Sequence, residues 1–298
     1  MTESPSLDRI RALPCFSGVI DIEPLTGGLS NESWLVRDAS GRHVVRFGQD
    51  YPFHHVNRQR EVMTARAAHE AGFAPRVEYS EPGIMVSAFI QARTFDAADV
   101  RANAQRIGRL IRDFHASMPH HVEGAGFMFW VFHVIRDYAR TLAKGGSRMA
   151  DRLPGWLELS DHLEAVQSPL PIVFGHNDLL PANFLDDGHK LWLIDFEYAG
   201  FSTAMFDIAG AASNAGMNED EAHALLEAAL GSRPDATVIR SMHAMQCASL
   251  LRETMWSLVS ELYLDAPGAD YQTYTAENLA RLDAALDQYH STYGKTSS

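Results

Sequence analysis

The rhythm of apolar and polar positions changes along this chain, and the changes divide it. Over residues 1–90 alternation at period two dominates. "LTGGLSNESWLVRD" (25–38) carries a glycine pair and then alternates into "SWLV", and "GRHVVRFG" (41–48) alternates again. That pattern predicts two strands joined by a hairpin at 38–41. "RVEYSEPGIMVSAFI" (76–90) predicts two more strands around a turn at 81–83. Between these pairs, "VNRQREVMTARAAHEAG" (56–72) has helical spacing, with Val62, Ala65 and His69 on one side, and Gly72 and Pro75 mark its end.

From residue 91 the period lengthens. "DVRANAQRIGRLIRDFHASM" (99–118) places Ile107, Leu110, Ile111 and Phe114 on one helical face, and further helices are predicted near 130–143 and 156–166. The region 171–200 breaks this pattern. "IVFG" and "KLWLIDF" read as short apolar strands, and "DDG" (186–188) as a hairpin turn. Helices resume from Phe206 to the end, and neither internal repeats nor a low-complexity linker appear. The pattern predicts an α+β chain of two lobes. Residues 1–90 form a small β-rich lobe and 91–298 a larger, mostly helical one, with a polar strip at the join.

Composition excludes several classes. With 46% hydrophobic and 21% charged residues the chain belongs among ordinary globular proteins. A net charge of −13 argues against a nucleic-acid partner, which needs clustered Lys and Arg. The two cysteines, Cys15 and Cys247, lack the spacing of a disulfide framework or zinc site. The start, "MTESPSLDRI", has no basic segment leading into an apolar one, so no secretory signal is expected. No apolar run reaches the roughly 18 residues of a membrane span. The expectation is a cytoplasmic protein, and its oligomeric state is not legible here.

The polar strip carries the chemistry. "GHNDLLPANFL" (175–185) sets Asp178 and Asn183 five apart, and Asp195 follows the apolar "LWLI", 17 residues after Asp178. A carboxylate that takes a proton, an amide oxygen and a second carboxylate that hold a divalent ion: these are the parts needed for phosphoryl transfer from ATP, and protein kinases space them in the same order. Mg²⁺ prefers oxygen ligands and keeps waters, so Asn183, Asp195 and phosphates suffice. Turns also favour Asn and Asp, and that reading explains "DDG". A His-x-Asp metal hydrolase is the other option, but it needs a second ligand cluster, which is not found.

"VFGHNDLLPANFL", "LWLIDFEYAG" and "FDIAG" resemble the choline/ethanolamine kinase family, within the broader aminoglycoside phosphotransferase-like kinases. The resemblance implies a protein-kinase-like fold, ATP as donor, Asp178 as base, and Asn183 and Asp195 as Mg²⁺ ligands. "TGGLSN" (26–31) would then cover the phosphates through Gly27, Gly28, Ser30 and Asn31, because glycines let backbone N–H groups approach phosphate. Arg46 on the following strand would pair with Glu61 on the helix and reach the phosphates; the alternative is an ordinary surface ion pair. Ser87 and Phe89 fall at the hinge, where backbone groups would meet adenine. Asp207 is either a helix cap or an anchor for the loop backbone, and His176 a buried ring bonded around the loop. The pairs His54–His55 and His120–His121 are expected at the surface.

An ammonium group is held best by aromatic faces and a carboxylate. Residues 252–282 resemble the C-terminal part of choline kinases, where Trp256 matches a tryptophan lining the choline pocket, although core helices look the same. Glu197 and Tyr198 follow Asp195, and Tyr198 would add a second face. The family commonly has a second Trp where Val259 stands, a Glu–Trp near Asn214, and Gln or Asn where Leu180 stands. The expected activity is ATP- and Mg²⁺-dependent phosphorylation of a small cationic alcohol, choline or ethanolamine first. Thiamine or an aminoglycoside as acceptor, or nucleotide binding without catalysis, remain open.

Overall fold

The computed structural model describes residues 5–25, 32–265 and 270–294. A short helix α1 (Pro5–Arg11) precedes strands β1 (Asp21–Leu25), β2 (Glu32–Arg37) and β3 (Arg42–Phe47). Helix α2 (Arg58–Glu70) then leads into β4 (Val77–Glu81) and β5 (Ile84–Ala88). The strands form one antiparallel sheet in the order β1-β2-β3-β5-β4. Both expected hairpins are present. At 38–41 the Asp38 carboxylate accepts from the N–H groups of Ser40 and Gly41, which fixes the turn. Alternation buries Val36, Val45, Ile84 and Val86 on one face, where they pack with Ile10 and Leu13. Neither α1 nor β1 is visible in the apolar pattern: β1 is a mostly exposed edge strand containing Pro24.

Helix α2 is capped by Asn57, whose side chain accepts from Arg60 N–H at 2.8 Å. Its buried Ala65, Ala67 and Ala68 join the core of the helical half rather than that of the sheet. Small side chains allow that close approach. By sequence α2 belongs to the first lobe, and by packing it is shared.

The second half begins with β6 (Arg93–Thr94), α3 (Ala97–Ala102) and α4 (Ala104–Ser117). The single helix expected over 99–118 is therefore two, broken at Asn103 (φ −111°, ψ 22°), and α3 starts from a capping box at Asp96 and Asp99. Helices α5 (Val131–Gly145) and α6 (Leu153–Ala165) follow. Then come β7 (Ile172–Gly175), β8 (Phe184–Asp186), β9 (Leu191–Leu193) and β10 (Gly200–Thr203), and finally α7 (Ala204–Ala215), α8 (Glu219–Leu230), α9 (Ala236–Tyr263) and α10 (Tyr271–Tyr293). Helix α9, 28 residues long, runs through this half with α5, α7 and α10 packed on it, and from Ser241 to Ser260 it is buried almost throughout. The expected α+β, two-lobed architecture is what the chain adopts. No helix among the described residues is long and apolar enough to cross a membrane.

Candidate active site

The loop after β7 is held from three sides. Asp207 of α7 accepts from the N–H groups of His176 (2.8 Å) and Asn177 (2.6 Å), and from His115 Nε2 at 2.7 Å. It is therefore the loop anchor; the cap of α7 is Thr203. Burial works to raise the Asp207 carboxyl's pKa, but the His115 bond, the electrostatic pull of His115 and His176 and the Asn177 N–H prevail and hold it below the ordinary range. The fully buried His176 donates from Nε2 to Ile194 O at 2.9 Å, and Asn177 donates to the carbonyls of Tyr198 (3.1 Å) and Gly200 (3.2 Å). Gly175 is needed at the turn: a Cβ there would lie 2.7 Å from Asn177 Oδ1 and 3.1 Å from Asp207 Oδ2.

This scaffold brings the three proposed reacting groups to one place. Asn183 donates from Nδ2 to Asp178 O at 2.8 Å, so what it offers a ligand is its carbonyl oxygen. Ile194 N–H donates to Asn183 O at 3.2 Å, which sets Asp195, the next residue after Ile194, beside it. The hairpin turn lies at 187–190, slightly later than "DDG" suggests. Asn177 (φ 62°) and Asp195 (φ 69°) both adopt the left-handed conformation, which Asn and Asp tolerate best and which concentrates at functional sites.

Arg46 Nη1 meets Asp195 Oδ1 at 2.9 Å in an ion pair, and Nη2 bonds Glu61. Arg58, which the sequence reading passed over, donates to Glu61 (2.7 Å) and to Glu197 (2.8 Å), and Glu197 lies 3.6 Å from Arg46. Arg46, Glu61, Arg58 and Glu197 thus close a ring of alternating charge across β3, α2 and the segment after β9. Glu197 lines the cleft and is held there by the two arginines. Burial works against the Arg46 charge, and Asp195, Glu61 and Glu197 outweigh it.

These groups line a cleft of about 660 Å³ between sheet and helices. At one end stand Val44, Met85, Ser87 and Phe89. The N–H groups of Ala88 and Phe89 donate to Arg76 O and Arg42 O, and Ile90 lines the cleft beyond them. Gly27, Gly28, Ser30 and Asn31 lie outside the described residues. At the other end stand Tyr198, Trp256 and Tyr274, with Arg252 and Glu253, a pair the sequence reading missed. Two adjacent charges inside a helix otherwise fit for a core were the available signal. Trp256 Nε1 donates to Tyr198 Oη at 2.8 Å. One Trp256 face stacks on His54 (centroids 5.0 Å, planes 24°), and Tyr271 and Tyr274 meet its ring edge-on. Leu180 lines the cleft, Val259 is buried away from it, and Asn214 donates to Leu179 O at 3.3 Å.

His54 corrects an expectation. It is 1% exposed, not a surface residue, because the turn at Pro52–His54 docks on α9. Ser260 Oγ donates to Trp256 O, so it accepts from His54 Nε2 (3.0 Å), and His54 Nδ1 accepts from Tyr138 Oη (3.2 Å). Burial, with help from Arg252 and His55, lowers the His54 pKa to about 3.

Burial raises the Asp178 pKa well above the ordinary range; Arg252 opposes this, while Glu253, Asp195 and Glu197 add to it. Arg252 Nη2 lies 3.9 Å from Asp178 Oδ1. Among the described residues no group of three or more His, Cys, Asp or Glu side chains could hold a metal. Mg²⁺ in phosphoryl-transfer sites takes one or two protein ligands plus phosphates, and the oxygens of Asn183 and Asp195 fit that donor set.

A small antiparallel sheet over a helical half, with a carboxylate-bearing loop and a strand-end carboxylate facing one cleft, defines the protein-kinase-like phosphotransferase fold. The chain belongs to the choline/ethanolamine kinase family, whose model matches residues 22–226. A probable ethanolamine kinase of Arabidopsis thaliana is 29% identical over 211 residues, which cover 64% of this chain and 55% of that protein. The chain thus spans little more than half of that relative. Protein LicA of Haemophilus influenzae is 23% identical over 273 residues, 87% of this chain and 77% of LicA. Among solved structures, a choline/ethanolamine kinase family protein from Mesorhizobium loti superposes with a TM-score of 0.75 at 27% identity, covering 95% of this chain and 94% of its own. Choline kinase LicA from Streptococcus pneumoniae shares the fold, with a TM-score of 0.72 at 19% identity over 90% of this chain and 94% of its own.

Proposed function

We propose that this protein transfers the γ-phosphoryl group of ATP, with Mg²⁺, to the hydroxyl of a small ammonium-bearing alcohol, ethanolamine or choline first. Residues 1–90 serve as the nucleotide-binding lobe and 91–298 as the catalytic and acceptor-binding lobe. The observation that carries this reading is the convergence of Asp178, Asn183 and Asp195 on one cleft wall, with Arg46 2.9 Å from Asp195.

Asp178 orients the acceptor hydroxyl and takes its proton, a task its burial favours by raising proton affinity. Arg46, fixed by Glu61, is available to the donor phosphates once it leaves Asp195. Asn183 and Asp195 would hold Mg²⁺, which neutralises charge developing on the phosphates. Val44 and Met85 shield the nucleotide base from water, and Ile90 lines the cleft beside it. Glu253 and the aromatic rings of Tyr198, Trp256 and Tyr274 receive the ammonium. Because Trp256 gives one face to His54, the remaining contacts favour hydrogen-bonding ammonium over a fully enclosed quaternary one.

A coupled ADP-release assay over ethanolamine, choline, thiamine and an aminoglycoside tests the reading. Asp178→Asn should lose turnover while retaining ATP affinity by calorimetry. Unchanged turnover in that variant sinks the assignment of the base. ATP binding without ADP release on any alcohol sinks the kinase reading altogether.

A further inference from the structure

The acceptor end of the cleft holds a cation that the reaction above does not use. Arg252 is 5% exposed, yet it lines the cleft. Its Nη1 faces Glu253 Oε2 at 3.0 Å, its Nη2 is 3.9 Å from Asp178 Oδ1, and its guanidinium sits 5.5 Å from the Tyr198 ring centre. Nε–H is buried and finds no acceptor among the described residues. Glu253 is held on its other oxygen by Tyr274 Oη at 2.7 Å. Two consecutive helix residues of opposite charge therefore face one small-molecule site.

A ligand bearing only an ammonium group fits half of this arrangement. It pairs with Glu253 but then competes with the neighbouring guanidinium for that carboxylate, and the buried Nε–H of Arg252 stays unmatched. We propose that the natural acceptor is amphoteric: an alcohol that carries an ammonium group and also a carboxylate or similar anion. Glu253 takes the ammonium and Arg252 the anion. The planar fork of arginine suits a carboxylate, and a ligand zwitterion would substitute its own charges for the contact between Arg252 and Glu253. The tyrosines and Trp256 hold the carbon skeleton, and Asp178 faces the hydroxyl.

This inference rests on the kinase reading and changes its first choice of acceptor, from ethanolamine or choline to an ammonium-bearing alcohol that also carries an anion. A matched series tests it: ethanolamine, choline, L-serine, its neutral analogue L-serinamide, and L-homoserine as the longer homologue. Kinetics are followed for the wild type and for Arg252→Gln and Arg252→Lys. The wild type should favour an amino-acid alcohol over ethanolamine, choline and L-serinamide. Arg252→Gln should lower the ratio of kcat/KM for that substrate to kcat/KM for ethanolamine by roughly 30-fold or more, the effect of removing one partner of a desolvated charge pair. Arg252→Lys, which keeps the charge without the fork, should fall between. A wild-type preference for ethanolamine or choline overturns the proposal, needs no variant to fold, and leaves the kinase reading standing. An equal loss on all acceptors in a folded Arg252→Gln protein also overturns it, placing Arg252 on the donor phosphate instead. No ADP release with any alcohol removes the kinase reading and the inference with it.

Discussion

His54 gives the most quantitative handle on this molecule. Replacing it with Phe keeps a ring against Trp256 but removes the bonds to Tyr138 and Ser260. At about pH 7.5 the variant should be less stable by about 1–3 kcal/mol, since Tyr138 Oη loses its buried acceptor. The pH dependence is the sharper test. In the unfolded chain a histidine takes up a proton below about 6.5, whereas in the fold His54 refuses it down to about 3. The unfolded state therefore binds more protons in that window, and stability falls as pH drops through it. At about pH 5 the difference is about 1.5 pH units at 1.36 kcal/mol each, or about 2 kcal/mol. Phe has no proton to take up, so the deficit of His54→Phe should shrink by about that amount between pH 7.5 and 5, or change sign. Urea unfolding of both proteins at the two pH values reads the difference directly. A deficit that stays constant refutes the neutral, buried assignment.

Other expectations concern the ion ring and the anchor. Arg46→Met should weaken binding of a non-hydrolysable ATP analogue by roughly 30-fold or more, and Arg46→Lys by less, because lysine keeps the charge but not the fork. Equal affinity in all three proteins by calorimetry would remove Arg46 from the phosphate site. Asp207→Asn should cost about 3 kcal/mol near neutral pH, because it leaves His115 and two backbone donors facing an uncharged amide. The Asp207 carboxyl is held low in the fold, so its contribution is full above the unfolded value near 3.9 and fades as pH falls through the folded one. Thermal unfolding should show Asp207→Asn lacking that part of the acid limb, and an unaltered acid limb would contradict the anchor role.

The strands and loop spacing were legible because they depend on neighbours in sequence. Alternation placed β2 to β5, and the interval between Asp178 and Asn183 marked a loop before any fold was known. What escaped was set by distant partners. β10, only "GFST", exists because Gly200 pairs with Gly175 of β7. His54 looked like a surface residue because it stands in a proline-bearing, loop-like stretch; α9, some 200 positions later, supplies Ser260 and Trp256. Arg58 was hidden for the same reason, since its second partner, Glu197, lies on the far side of the catalytic loop. Arg252 and Glu253 stand in the helix from which the resemblance singled out Trp256 alone.

The docking of α2 and of the turn at Pro52–His54 on the helical half limits how the molecule can open. Both elements belong to the first half of the chain and reach the large core, while α2 also packs on β4 of the sheet. They act as a clasp between the halves. Any displacement of the sheet against the large core has to carry α2 with it or break the bonds Arg46–Glu61 and Arg66–Ser80, whereas the ring of Trp256 is fixed from the helical side and the turn by Tyr198 and His54.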